Sequence, residues 1–155
     1  MTPEESRYPL DWERIAKKDL RRAKNMLDLD DAEAAGFFLQ QAVEKYLKAF
    51  LLAQGWELRR IHDLEVLLNA ALVYDPAIET YRAACRKITG YYFVERYPIF
   101  VETSLTLEDV QGSLEEIGGL IQRLGVHLQE GSDTEGTDSS DLPTTGEAQF
   151  DADTD

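Results

Sequence analysis

Residues 36–63, GFFLQQAVEKYLKAFLLAQGWELRRIHD, hold the pattern that decides the fold. Apolar residues recur there at spacings of three, four and seven, which predicts a long helix with one broad apolar face. Those residues are Phe37, Phe38, Val43, Tyr46, Leu47, Phe50 and Leu51, and the polar stripe between them is Gln40, Gln41, Glu44, Lys45 and Lys48. Gly55 is predicted to follow the helix end, because a left-handed residue without a Cβ is unstrained there.

Further amphipathic segments flank this helix on both sides. Asp11 is the predicted N-cap of a preceding helix that extends to about residue 29. A third, shorter helix is predicted from Asp63, and Pro76 suits the first position of a fourth. Thr106 with Asp109 has the spacing of a capping box and predicts a fifth. No strand pattern competes, so the predicted fold is an all-α antiparallel bundle of about five helices, four main and one extra.

Charge is distributed unevenly along the 155 residues of the chain. The formal net charge is −14, and nine of the thirty acidic residues lie in residues 130–155, where there is no Lys or Arg. Apolar periodicity also stops near residue 129. We therefore predict a flexible lead-in over residues 1–9, a helical domain over 10–128 and a disordered acidic tail over 129–155. Because much of the acidity belongs to the tail, it argues only weakly against nucleic-acid binding.

The first helix carries the most basic surface of the chain, formed by Arg14, Lys17, Lys18, Arg21, Arg22 and Lys24. Two interpretations of this surface stay open. It is either an ordinary solvated helix face or a face that binds phosphate or a partner protein.

Cysteine content and hydropathy indicate the cellular compartment in which the protein is expected. Cys85 is the single cysteine, which excludes an internal disulfide, and it is predicted to be a small core residue. No apolar run approaches the roughly 18 residues of a membrane-spanning helix. The N-terminus lacks the pattern of a secretory signal, so a reducing cytoplasm is the expected compartment, without a membrane partner.

Few residues carry recognisable chemistry. The chain has no glycine-rich phosphate loop, no HExxH motif and no metal-ligand spacing, so no metal site is expected. His62 lies between two arginines and Asp63, and it is either a helix-start or packing residue or a functional group. Arg96 follows a dense aromatic run, where it either caps a helix or presents its planar fork to a phosphate. Glu44 and Lys48 are either an exposed i,i+4 ion pair or part of a cleft lining.

Three blocks of sequence together resemble the HEPN domain family. They are Phe38 to Lys48 (FLQQAVEKYLK), then His62-Asp63-Leu64 with Leu67-Leu68, then Arg96-Tyr97-Pro98, within a resemblance that covers roughly residues 12–124. The resemblance implies a bundle of four main helices plus one, assembled as a homodimer. It also implies nucleotide binding and a minimal nucleotidyltransferase as partner, in a two-gene module of the toxin–antitoxin type.

Several HEPN lineages are metal-independent ribonucleases, whose motif is an arginine followed by a histidine after four to six intervening residues. This sequence departs from that motif. Counting back from His62, the arginine would fall at residues 55–57, which are Gly, Trp and Glu. Counting forward from Arg96, the histidine would fall at residues 101–103, which are Val, Glu and Thr. Around His127, Arg123 is one residue too close.

Three functions therefore compete. The first is a non-catalytic, nucleotide-binding partner of a nucleotidyltransferase, with a bound nucleotide as its one small molecule and a site formed by Lys48, His62, Arg96 and Tyr97. The second is a ribonuclease with a rearranged site, in which Arg96 stabilises the phosphorane and His62 accepts the 2′-hydroxyl proton of RNA. The third is a helical dimerisation module whose polar residues are merely solvated. The aromatic residues Tyr91, Phe93 and Phe100, expected to be exposed, are compatible with dimerisation.

Overall fold

The computed structural model describes residues 6–96 and 105–125, except for the side chains of Glu95 and Arg96. These residues form five α-helices and contain no strand, which confirms the all-α prediction. The helices are α1 (Pro9–Asp28), α2 (Ala32–Ala53), α3 (Leu64–Leu72), α4 (Arg82–Arg96) and α5 (107–125), with a 3-10 helix at Pro76–Tyr81 before α4. No helix of this described part is long and apolar enough to cross a membrane.

The central element is α2, which packs against α1, α3 and α4. It is buried over most of its circumference rather than along one face. Gln40, Glu44 and Lys48, expected in a polar stripe, are 0%, 3% and 3% exposed. Only Gln41 and Lys45 of that stripe are partly exposed, because neighbouring helices cover α2 from several sides. Gly55 has the predicted left-handed conformation, with φ of 92°.

Helix α1 begins earlier than the sequence pattern predicted. Its first residue is Pro9 and its N-cap is Tyr8, so Asp11 lies within the first turn and is not the cap. Proline stabilises that position because it has no amide hydrogen to leave unpaired. Upstream, Ser6 donates a hydrogen bond to Asp11 (2.6 Å), and its carbonyl accepts one from Trp12 (2.7 Å).

Side-chain caps confirm the predicted starts of the third and fifth helices, and another cap begins α2. Asp31 accepts a hydrogen bond from the amide of residue 34, and Asp63 accepts one from the amide of residue 65. Thr106 and Asp109 bond each other's amides reciprocally, at 3.0 and 3.1 Å. Each cap satisfies amides that the first helical turn leaves unpaired. The fourth helix differs, because Pro76 opens a 3-10 helix and regular α-helix starts only at Arg82.

The core is continuous and includes Phe50, Leu67, Ile88 and Ile117. Cys85 is buried as predicted. Tyr91 is only 6% exposed, which corrects its prediction as an exposed dimerisation residue, whereas Phe93 is 48% exposed. Tyr91 is covered because α2 approaches closely at Gly36, where an added Cβ would lie 3.2 Å from the tyrosine Cβ. Phe100, Tyr97, His127 and the predicted tail lie outside the described residues.

Candidate functional site

Glu44 is a buried carboxylate in the middle of α2, and three groups surround it. The Lys48 ammonium lies 2.9 Å from Oε2, and the Gln40 amide donates to Oε1 over 3.1 Å. The Nδ1 atom of His62 lies 3.1 Å from Oε1 and 3.2 Å from Oε2. The Glu44 side chain is 4% exposed. A charge that is this buried persists only when such partners replace its water shell.

The Glu44–Lys48 pair is buried, which rules out the first of its two interpretations, an exposed i,i+4 surface pair. The Lys48 side chain is also only 4% exposed, and its Nζ lies 5.5 Å from the centroid of the Trp12 ring. The pair is buried because α1 covers this side of α2 with Trp12, which is itself 4% exposed. Lys48 therefore acts on the site through Glu44 rather than from its surface.

His62 connects this buried group to the surface. Its side chain is 55% exposed, and its ring stacks on Tyr92 with centroids 5.4 Å apart and planes 18° from parallel. Its backbone carbonyl accepts a hydrogen bond from the Gln40 amide at 2.9 Å. The ring is thus fixed by Glu44 on one edge and by Tyr92 on one face. Its Nε2 makes no hydrogen bond to another described residue.

Aromatic side chains extend the site beyond Tyr92. Phe37 lies 5.9 Å from the Tyr92 ring, and Phe93 meets that ring edge-on at 5.3 Å. Phe38 lies edge-on to Phe37 at 5.5 Å. We call Phe37, Phe38, Tyr92 and Phe93 the aromatic patch. Of its members, Phe93 is the exposed one, so the patch offers a ring surface to solvent beside His62.

The predicted site residues fall into two groups. His62 and Lys48 converge on the same carboxylate, as described above. Arg96 is the last residue of α4, one helical turn after Tyr92, but its side chain and all of Tyr97 lie outside the described residues.

At the other end of the bundle Arg123 binds both carboxylate oxygens of Asp75, which gives it a structural partner.

Glu44 and Gln40 are the site residues that sequence reasoning did not select. Their signal was present, because Gln40, Glu44 and Lys48 repeat at intervals of four within a helix whose other residues are largely apolar. A polar stripe in such a helix indicates either a solvated edge or a buried network, and only the packing of α1 and of residues 54–63 distinguishes them.

A second buried carboxylate lies between α1 and α2. Asp19 is bonded by Lys45 at 2.6 Å and by Arg22 at 2.8 Å. Gln41 links the two networks, because its amide donates to Gln40 at 2.8 Å and its oxygen accepts from Lys45 at 3.3 Å. The Asp19 network joins two helices and involves no histidine.

The geometry of His62 defines its chemistry. When the neutral ring donates from Nδ1 to Glu44, Nε2 carries the lone pair and accepts a hydrogen bond or a proton. When the ring is protonated, both nitrogens donate and Glu44 balances the charge. Within residues 6–96 and 105–125, no cluster of three or more His, Cys, Asp or Glu side chains is arranged to hold a metal ion.

Comparison with known proteins assigns the fold to a family. A comparison with curated proteins found no match. The chain is similar to the protein in the crystal structure of TT1696 from Thermus thermophilus, with 28% sequence identity and a TM-score of 0.67 over 76% of this chain and 95% of that one. The family model of the HEPN domain matches residues 10–126. This chain therefore belongs to the HEPN domain family.

Proposed function

We propose that this HEPN domain binds a nucleotide at the surface formed by His62 and the aromatic patch. The observation that carries the proposal is the half-exposed His62 ring, held between the buried Glu44 carboxylate and Tyr92. In this proposal His62, Arg96 and Tyr97 contact the nucleotide. Lys48 contributes indirectly, because its ammonium neutralises Glu44 and so helps to hold the imidazole in place.

A nucleotide suits this surface because it combines a planar base with anionic phosphate. Exposed aromatic rings such as Phe93 stack on bases of any sequence, at roughly 1–3 kcal/mol per base. Arg59 and Arg60 are exposed three and two residues before His62 and supply positive charge for phosphate. An imidazole oriented by a carboxylate adds one directional hydrogen bond from Nε2, which favours one pose of the ligand.

The test is isothermal titration of the full chain with ATP, GTP, UTP and CTP in turn. We expect His62→Ala to weaken the tightest of these complexes at least about tenfold, the equivalent of one lost hydrogen bond to a charged group. His127→Ala is the matched control, because it removes the chain's other histidine. Equal affinity of wild type and His62→Ala, or no binding of any of the four by folded protein, would contradict the proposal.

We further propose that the domain is a homodimer and the non-catalytic partner of a minimal nucleotidyltransferase, in a toxin–antitoxin-like pair. Membership of the HEPN family and the exposed Phe93 support this. Light scattering during size-exclusion chromatography should give the mass of two chains, and Phe93→Asp should reduce it to one. The proposal predicts a minimal nucleotidyltransferase gene beside the gene for this chain. Co-purification of the two products tests the partnership, and separate elution of the two folded proteins would refute it.

A second candidate function is metal-independent RNA cleavage by Arg96 and His62. It is favoured by the Glu44–His62 hydrogen bond, because a carboxylate that orients an imidazole is a common arrangement in general acid–base catalysis. The assay is cleavage of single-stranded RNA in chelator by wild type, Arg96→Ala and His62→Ala. Loss of cleavage in both variants supports this function. Its retention in either, or its absence from the wild type, excludes it.

A further inference from the structure

The outer surface of α1 holds six cations, of which Lys18, Arg21 and Lys24 make no ion pair to another described residue, while Lys17 lies 3.9 Å from Glu13. Arg14 pairs with Asp11 at 2.9 Å, and Arg22 pairs with Asp19 at 2.8 Å. The remaining four cations are exposed, and three of them make no ion pair to another described residue. Their spacing of one, four and seven residues puts them on one side of the helix. We call Lys17, Lys18, Arg21 and Lys24 the basic face.

The described part of α5 ends near the start of α1, the helix that carries the basic face. Helix α5 ends beside the start of α1, since a Cβ built on Gly125 would lie 3.9 Å from Oε2 of Glu13. Thirty residues follow Gly125, and from residue 130 onward they include nine acidic residues and no Lys or Arg. The basic face lies within about 17 Å of Glu13 along the helix axis. Five extended residues span the same distance, so the segment has ample length.

We propose that the acidic segment 130–155 binds in cis to the basic face of α1 and neutralises it. The opposite charges of the segment and the basic face favour this pairing. Because the segment is attached through α5, its effective concentration at the face is in the millimolar range, and a free polyanion would need a similar concentration to compete. The contact is electrostatic and solvent-exposed, so it weakens as added salt shortens the Debye length. While the segment is bound, another polyanion can bind the basic face only by displacing it.

The test is carbodiimide cross-linking of the full-length protein at low ionic strength, followed by peptide mass spectrometry. This reagent joins a lysine amine to a carboxylate only when the two are in direct contact. We expect amide links from the segment to Lys17, Lys18 and Lys24, at least about fivefold more frequent than links to Lys87, and their loss in 0.5 M NaCl. Lys87 is a suitable internal control because it is 53% exposed on α4.

Two controls make the outcome decisive. Arg21→Glu removes a cation without removing a reactive lysine, and should lower the links severalfold. Arg60→Glu, an exposed arginine elsewhere, should leave them unchanged. Mixing ¹⁴N- and ¹⁵N-labelled protein separates links within a chain from links between chains. Links between chains only, links spread equally to Lys87, or links insensitive to Arg21→Glu would each overturn the proposal.

Discussion

Glu44 on α2 and Asp19 on α1 are two buried carboxylates whose hydrogen-bond networks are linked through Gln41, yet their partners differ. Their side chains are 4% and 3% exposed. Asp19 is bonded by two cations, Lys45 and Arg22, whose side chains are 18% and 43% exposed. Among its described partners Glu44 has a single permanent cation, Lys48, which is as buried as Glu44 itself, and its other ionisable partner is the ring of His62, which is charged only when protonated.

The difference shows what a buried charge can be used for. The partners of Asp19 keep contact with water, so that network can reorganise and its main effect is to join α1 to α2. The partners of Glu44 form a fixed path from the interior to one exposed imidazole. A buried carboxylate that is hydrogen-bonded to an ionisable surface group indicates a functional site. A buried carboxylate that is paired with long, flexible cations indicates a structural link.

The largest expected effect comes from removing each carboxylate in turn. Glu44→Ala leaves the Lys48 ammonium buried and unpaired, so it should lower the free energy of unfolding by about 3–5 kcal/mol. Asp19→Ala should cost about 1–2 kcal/mol, because Lys45 and Arg22 can turn toward water. Urea unfolding of the two variants measures both values. A larger loss for Asp19→Ala would break the comparison.

Removing both charges of the Glu44–Lys48 pair together measures how strongly the stability of one charge depends on the other. Glu44→Gln with Lys48→Met replaces two buried charges by neutral groups of similar volume, so the double variant should unfold within about 1–2 kcal/mol of wild type. Lys48→Met alone should be less stable than the double variant, because it leaves Glu44 without its cation. If the single and double variants have equal stability, the two charges are not coupled.

Glu65 provides the same chemistry without deep burial. Hydrogen bonds from Arg86 and then Arg82 lower the pKa of Glu65 to about 2. A carboxyl whose pKa is depressed on folding stabilises the protein above its unfolded value, near 4.5, and that stabilisation is lost as pH falls toward 2. The difference in melting temperature between wild type and Glu65→Gln should therefore be present at pH 6 and shrink between pH 4.5 and 2. A difference that grows with acidification would contradict this.

The smallest effect is expected at an ionisable group that has burial but no partner to stabilise its charge. Burial raises the pKa of the Cys85 thiol to about 12. At pH 8 the thiol therefore stays neutral and covered, and Ellman's reagent should label folded protein far more slowly than protein in 6 M guanidinium chloride. Labelling of folded protein at the rate of free cysteine would show that the core opens there.

Much of the fold was predictable because its signals are local. The Asp31, Asp63 and Thr106–Asp109 caps each involve residues two or three apart, and the core stripes follow the helical period. Tyr91 was misplaced because adjacent helical positions differ by about 100°, and Gly36 on another helix decides which is covered. The surroundings of His62 were less predictable, because they depend on contacts between distant parts of the sequence. His62 was named from its sequence neighbours, but its Glu44 contact joins residues 18 apart and depends on how residues 54–63 pack.

The position of Trp12 gives the protein a built-in optical probe. Its indole is buried, bonded to the carbonyl of Ser6, and lies 5.5 Å from the Lys48 ammonium. An ammonium beside an excited indole perturbs its emission, so Trp12 fluorescence reports on the Glu44–Lys48 pair without any label. The other tryptophan is Trp56, which is half-buried, and Trp56→Phe isolates the signal. Titrating a nucleotide into the Trp56→Phe variant then tests the proposed binding at His62 through the fluorescence of Trp12.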